Sequence, residues 1–381
     1  NLYSSMAARR FFLGAVVIFL VSWHRVMASS GHGIGHRTMQ QRHEEWISMY
    51  NRVYQSAEEK TKRFYIFKSN VEKIDRINKL RRGFILEENH LADLTDEEFH
   101  SGHRALPSLG RGPSPSASLP PPPRRHPPPL PRKSIPPPHR KPRPPPPRKS
   151  TPPPRRRPPP PRPSSFDWRR FGAVTPVKNG TACAAQWAYA VVAAVEAVVK
   201  IKTGKLTALS AQELVDCPYN EWGCGTPPNV FSMLSFTFRN IMRFGVHTEV
   251  DYPYTGEYSS CKRIPTVPTK ISNFSYVPPN TETALEFAVT RQPVVVMLST
   301  ADARFYKSGV FEGPCYTPYY EYSHFIVALI GYGKEGNKTY WIAKNSWGVN
   351  WGENGYIRIR KDVEDPSGLC GMAKLLFYPI A

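Results

Sequence analysis

The residues best placed to do chemistry in this 381-residue chain are its six cysteines, Cys183, Cys217, Cys224, Cys261, Cys315 and Cys370, all of which fall after position 180. Their even number fits three disulfides formed in an oxidising compartment, with the pairing left open by sequence alone. Covalent peptide cleavage by thiol chemistry would need a thiolate, an imidazole to take its proton, a group to orient that imidazole, and donors facing the developing oxyanion. A fully oxidised set of six offers no such thiolate. Three sequons, Asn179-Gly180-Thr181, Asn273-Phe274-Ser275 and Asn337-Lys338-Thr339, are candidate glycosylation sites in a secreted chain. No metal and no cofactor is expected.

The elements that must position these residues follow from how composition changes along the chain. The formal charge is +21 and 41 residues are proline. The stretch from Phe99 to Phe166 alone holds 15 Lys and Arg, no Asp or Glu, and 27 prolines, so the remainder carries only +6. At the start, Arg9-Arg10 precede the apolar run Phe11 to Trp23, and Val26-Met27-Ala28 supplies small residues at cleavage spacing. Residues 6–28 thus read as a signal peptide, with an apolar run too short for the ~20 residues that a membrane span requires. From 39 to 100, Trp46, Ile47, Tyr50, Phe64, Phe67, Val71, Ile74 and Ile77 recur at three- and four-residue spacings, which predicts a small domain of amphipathic helices.

Residues 104–163 form proline blocks broken by Arg and Lys, in which Arg132-Lys133-Ser134-Ile135-Pro136 is echoed by Arg148-Lys149-Ser150-Thr151-Pro152. Proline fixes φ and gives no backbone donor, so this segment reads as a disordered linker or polyproline II spacer. Without interleaved aromatics in a secretory chain it is not expected to bind nucleic acid; a plain linker, attracted to acidic wall polysaccharide, is the better match. Residues 164–381 are the compact part. A helix rich in Ala and Val is predicted over Trp187 to Lys202, closed by Gly204. Strand patterns follow at Val294 to Leu298, Phe325 to Ile330, Tyr340 to Ala343 and Tyr356 to Ile359, read as separated by glycine turns. A helical first half and a strand-rich second half suggest an α+β fold in two lobes.

Specific motifs then narrow the reading. Thr175 to Asn179 through Cys183 to Trp187-Ala188-Tyr189, followed by Leu214-Val215-Asp216-Cys217, Gly223-Cys224, Asp251-Tyr252-Pro253-Tyr254, Ser323-His324, Gly331-Tyr332-Gly333 and Lys344 to Gly348, resemble the papain family of cysteine proteases, closest to its plant-type members. Upstream, Glu59, Arg63, Phe67, Asn70, Ile74 and Asn78 reproduce the helical signature of that family's inhibitory pro-domain. A shorter second signature keeps Asn89 and Asp93 but has Glu87 and Leu91 at altered positions. The resemblance implies a papain-like fold of a helical lobe and a β-barrel-like lobe, preceded by the pro-domain. It also implies the pairs Cys183 with Cys224, Cys217 with Cys261, and Cys315 with Cys370.

Carried over residue by residue, the resemblance makes His324 the general base, Asn345 its orienting partner and Trp347 the shield of their hydrogen bond. The nucleophile is lost, because the family's Cys-Gly-Ser-Cys-Trp reads Cys183-Ala184-Ala185-Gln186-Trp187. The oxyanion-hole glutamine is Gly180, the Gly-Gly rail for extended substrate is Thr226-Pro227, and the small residue after the histidine is Phe325, expected to fill the main specificity pocket. The expectation is a homologue without peptidase activity, acting by binding peptides or protease inhibitors in its cleft. It is expected to be a monomer without a transmembrane segment, located in the cell wall, outside the cell or in the vacuole. The competing expectations are an active cysteine endopeptidase and a wall-anchored structural or defence protein.

Overall fold

The computed structural model describes residues 37–100, 163–183, 185–217, 223–225, 229–315 and 324–381, the side chains of His100 and His324 excepted. The signal segment and nearly all of the 104–163 linker lie outside the described residues.

Two helices dominate the upstream domain. Helix α1, Met39–Met49, starts with a capping box in which Thr38 accepts from Gln41 N at 3.2 Å and Gln41 returns a bond to Thr38 N at 2.9 Å. Helix α2, Ala57–Lys79, is capped by Ser56, which accepts from Glu59 N at 3.1 Å, and carries Glu58 and Glu59 in its first turn and Arg76 and Lys79 in its last, which complements its dipole. The buried stripe of α2 is Arg63, Phe67, Val71, Ile74 and Ile77. Asn78 clamps the returning chain through Nδ2 to Leu86 O at 2.8 Å and Oδ1 from Leu86 N at 2.9 Å. That clamp sets up strand β1, Phe84–Leu86, and helix α3, Asp96–His100, follows.

Strand β1 was not foreseen from the sequence. It pairs antiparallel with β5, Tyr306–Phe311, so the pro-domain extends the sheet of the second lobe. The strands of the described residues are completed by β2, Phe166–Asp167; β3, Asn273–Tyr276; β4, Val294–Ser299; β6, His324–Glu335; β7, Lys338–Lys344; β8, Tyr356–Arg360; and β9, Leu376–Ile380. They join in the order β1-β5-β8-β7-β6-β4-β9-β3, with β2 alongside β6; β5 and β8 run parallel and the other pairs antiparallel.

The expectation that glycines end the strand beginning near Phe325 is corrected. Strand β6 runs on through Gly331 and Gly333. A Cβ at Gly331 would lie 2.2 Å from Phe166 O of β2, and one at Gly333 would meet the Tyr340 hydroxyl at 2.7 Å. Close approach of neighbouring chain, rather than a turn, is why glycine stands there.

The first lobe is built on helix α4, Gln186–Thr203, with α5, Ala211–Asp216, and α6, Val230–Arg243, packed against it; α7, Glu282–Val289, lies in the second lobe. Gly204 ends α4 with φ 79°, a conformation in which a side chain would be strained. Twelve residues of α4 are buried, an almost all-round apolar surface that marks a helix enclosed on most sides. Strand alternation sorts the sheet's faces: Val295, Ile326 and Phe377 join the core around α4, whereas Val296, Phe325 and Val327 join a second core continuous with Phe67, Val71 and Ile74 of α2. Each fully buried Val, Ile, Leu or Phe contributes roughly 1.5–3 kcal/mol through burial. One core therefore serves both the sheet lobe and the pro-domain.

Candidate active site

Gln186 is the first residue of α4 and is 8 % exposed. Its Oε1 is buried without a hydrogen-bond partner among the described residues. Asn345, 4 % exposed, follows the last residue of β7, and neither atom of its side-chain amide is hydrogen-bonded among the described residues. Both residues line a cavity of about 10 Å³ with Lys178, Tyr189, Glu196, Lys344 and Ser346, near the lower bound for a single water. The hydrogen bond expected between His324 and Asn345 involves a side chain outside the described residues. The His324 side chain, Ala184, Thr226 and Pro227 lie outside the described residues; the His324 backbone opens β6 opposite Ser299.

Gly180 is held by its N–H to Ser346 O at 2.7 Å. A Cβ on this residue would lie 2.1 Å from Cε2 of Tyr189. The Tyr189 ring, 6 % exposed, thus occupies the space that a side chain at position 180 would need. It meets Tyr254 edge-on at 5.9 Å, and the Tyr254 hydroxyl accepts from Cys183 N at 3.1 Å. Burial drives the Tyr189 hydroxyl well above the ordinary tyrosine range, so it is neutral at physiological pH.

Beneath the site lies a buried ionic network. Lys344 Nζ donates to Thr175 Oγ1 at 2.8 Å, and that hydroxyl donates to Glu196 Oε2 at 2.6 Å. The other Glu196 oxygen accepts from Leu209 N at 2.8 Å and lies 3.3 Å from Lys178 Nζ. Burial pushes the Lys344 amine down to about 8. Neither Tyr189 nor this network was singled out from the sequence; Thr175, Lys178, Tyr189 and Lys344 sat inside quoted motifs and Glu196 in the predicted helix, but nothing in their spacing marked what they touch.

All six cysteines are bonded, as Cys183–Cys224, Cys217–Cys261 and Cys315–Cys370, and none is free. These are the pairs implied by the family resemblance. Trp347, 4 % exposed, packs against Trp351 at 4.9 Å, Phe325 at 5.1 Å and Phe99 at 5.3 Å. Phe325 is 1 % exposed and also meets Trp351 at 6.0 Å, so its ring is part of the sheet-lobe core. Phe99 brings the pro-domain into this tryptophan cluster.

The pro-domain signature explains itself in contacts. Arg63 donates to Asp93 O at 3.0 Å and pairs with Glu98 at 2.7 Å and Glu59 at 3.7 Å. Asn70 Nδ2 bonds Ala92 O and Leu94 O at 2.8 and 3.0 Å. Of the second signature, Asn89 donates to Arg304 O at 2.6 Å, while Asp93 accepts from Tyr54 at 3.0 Å and pairs with Arg52 at 3.1 Å. Glu87, at an altered position, still docks: its N–H reaches Phe305 O at 2.8 Å and its carboxylate pairs with Lys307 at 3.1 Å.

Comparison with known families decides the assignment. The profile described as papain family cysteine protease matches residues 162–380, more than half of the chain. The chain belongs to the papain family. The cathepsin propeptide inhibitor domain matches residues 43–99. The senescence-specific cysteine protease SAG12 of Arabidopsis thaliana is 39 % identical over 350 residues, covering 90 % of each chain. Chymopapain of Carica papaya is 35 % identical over 340 residues, 88 % of this chain and 85 % of its own. Among solved structures, a recombinant stem bromelain precursor is 34 % identical with a TM-score of 0.66, covering 90 % of this chain and 98 % of its own. The papain-like fold with a helical pro-domain is thereby established. Among the described residues, no helix is long and apolar enough to cross a membrane.

Proposed function

We propose that this papain-family chain binds polypeptide in its cleft without cutting it, as a secreted or vacuolar protein that enters the secretory pathway through residues 6–28. The observation that carries the reading is the glutamine at the head of α4 in a chain whose six cysteines are all in disulfides. An amide is not a useful nucleophile, and a disulfide-bonded Cys183 cannot replace it. Gly180 adds to this, since loss of one oxyanion donor in comparable sites costs about 10²–10³ in rate. The partners are peptides or protease inhibitors able to enter such a cleft.

The test is incubation of the protein, freed of its pro-domain, with Phe-Arg and dibasic fluorogenic peptides and with a thiol-directed epoxide probe. Neither turnover nor labelling is expected. Labelling of any cysteine in the folded, oxidised protein overturns the reading and favours the alternative, an active cysteine endopeptidase of the kind its relatives are named for.

A second role has its own support in the 15 basic residues between Phe99 and Phe166. Such a tract attracts acidic wall polymers. Deletion of Leu106 to Pro163 then abolishes salt-sensitive binding to pectin-like polymer, and unchanged or salt-insensitive binding counts against it.

A further inference from the structure

The sequon Asn179-Gly180-Thr181 lies where the chain crosses beside the former active site. Asn179 forms an isolated antiparallel bridge with Trp347, and on either side Gly180 N bonds Ser346 O at 2.7 Å and Gly348 N bonds Lys178 O at 3.0 Å. This pins the backbone against the segment that carries Asn345, which lines one cavity with Gln186. The Asn179 side chain is nevertheless exposed.

An N-linked sugar is tolerated by a finished fold only where the asparagine amide nitrogen faces solvent and is not needed for an internal hydrogen bond. Asn179 meets both conditions. Its Oδ1 accepts from Thr181 N at 3.3 Å and from the Thr181 hydroxyl at 2.8 Å, while Nδ2 donates to no group among the described residues. On its inner side stands Gly348, where even an added Cβ would keep 3.5 Å from Nδ2. The other two sequons are exposed but elsewhere: Asn273 opens β3 opposite Ile380, and Asn337 sits in the turn between β6 and β7.

We propose that Asn179 is N-glycosylated, so that a glycan stands at the mouth of the cleft beside Gln186. The donor is a lipid-pyrophosphate-linked oligosaccharide. A bond forms between Asn179 Nδ2 and the anomeric carbon of the first sugar, the bond from that carbon to the pyrophosphate oxygen breaks, and Nδ2 gives up one proton as the lipid pyrophosphate leaves. No oxidant or reductant is involved. Residue 180 then has two consequences: glycine there supplies no oxyanion donor, and it is the permissive middle residue of the sequon, a position at which proline would block the transfer. A bulky hydrated sugar at this place excludes folded proteins from that end of the cleft and admits extended peptides. The proposal rests on the secretory-pathway reading and narrows its partner class.

The experiment expresses the full chain with its own signal segment in a eukaryotic secretory host and maps glycopeptides by mass after an endoglycosidase that leaves one N-acetylglucosamine on the asparagine. That residual sugar also separates glycosylation from spontaneous deamidation of the Asn-Gly pair. The Asn179 peptide is expected to carry the sugar in most molecules. Asn179→Gln and Thr181→Ala are each expected to remove one endoglycosidase-sensitive step in mobility, and Thr181→Ser, which keeps a hydroxyl, is expected to retain it. An unmodified Asn179 peptide in a protein glycosylated at Asn337 or Asn273 overturns the proposal and leaves the secretory reading intact. No occupied sequon together with an uncleaved signal segment overturns both. Because occupancy is read by mass, neither result depends on whether the cleft cuts or binds.

Discussion

The docking face of the pro-domain and the cleft it belongs with have fared differently in this chain. Within the pro-domain the signature residues are bonded, Arg63 to Glu98 and Asp93, Asn70 to Ala92 and Leu94, and Asn78 to Leu86, and at the docking face Asn89 reaches Arg304. Arg304, 1 % exposed, pairs with Asp96 at 2.6 Å and lies under the Phe99 ring at 5.2 Å, though its Nε has no partner among the described residues, while Lys73 pairs with Asp302 across the same interface. In the cleft, Gln186 Oε1 and both amide atoms of Asn345 are buried without partners among the described residues, and the Tyr189 ring fills the space that a side chain at 180 would need. Unpaired buried polar atoms each cost about 1–3 kcal/mol. The two regions set one fold two different tasks: holding a pro-domain, and lining a cleft.

The largest effect is expected where the two domains share a core. Phe67→Ala should destabilise the pro-domain by about 3–5 kcal/mol, read as a lowered urea midpoint and as faster proteolysis of residues 37–100. An unchanged midpoint would show that the docking face is less consequential than its contacts imply.

Next comes Lys344. Its folded-state value of about 8 lies below the ordinary 10.5, so between pH 8 and 10.5 the unfolded chain holds more protons than the folded one and stability rises with pH. Lys344→Met should remove up to about 3 kcal/mol of that rise, measured as the difference between the two stability profiles across the window. Identical profiles would mean that the amine is charged throughout.

Gly180→Gln should cost about 1–3 kcal/mol because the new side chain must displace the Tyr189 ring. The smallest effect belongs to Gln186→Cys, about 1 kcal/mol or less in thermal unfolding, since the lost amide oxygen makes no bond in any case. That variant should be labelled by a thiol probe and still show no turnover until Gly180→Gln is combined with a smaller residue at 189. Turnover by Gln186→Cys alone would erase the contrast between the two regions.

Much of this arrangement was legible in the residues, and the gaps have physical reasons. Helix α4 was bounded within one residue at each end because an Ala- and Val-rich run and Gly204 are local signals. The amphipathic stripe of α2 was likewise local. Strand β1 was hidden because three residues are too short for a period to register, and it exists only through its pairing with β5. Gly331 and Gly333 misled because a glycine required by a neighbouring strand looks the same as one required by a turn. At the site, the absent thiol could be read directly, since a cysteine is either present or not. The clash between Tyr189 and any side chain at 180 joins residues nine apart through a loop and a helix turn, and no spacing rule foretells it.

The three disulfides also govern how the protein responds to its surroundings. A thiol-dependent enzyme is protected by reductant and silenced by oxidant or alkylating agent. A chain with every cysteine sulfur cross-linked inverts that dependence: oxidants find no thiol to modify, and reductants bring only the loss of three clasps, each closing a loop of 41 to 55 residues. In an oxidising fluid such a molecule keeps its three clasps closed, and only a reductant opens them.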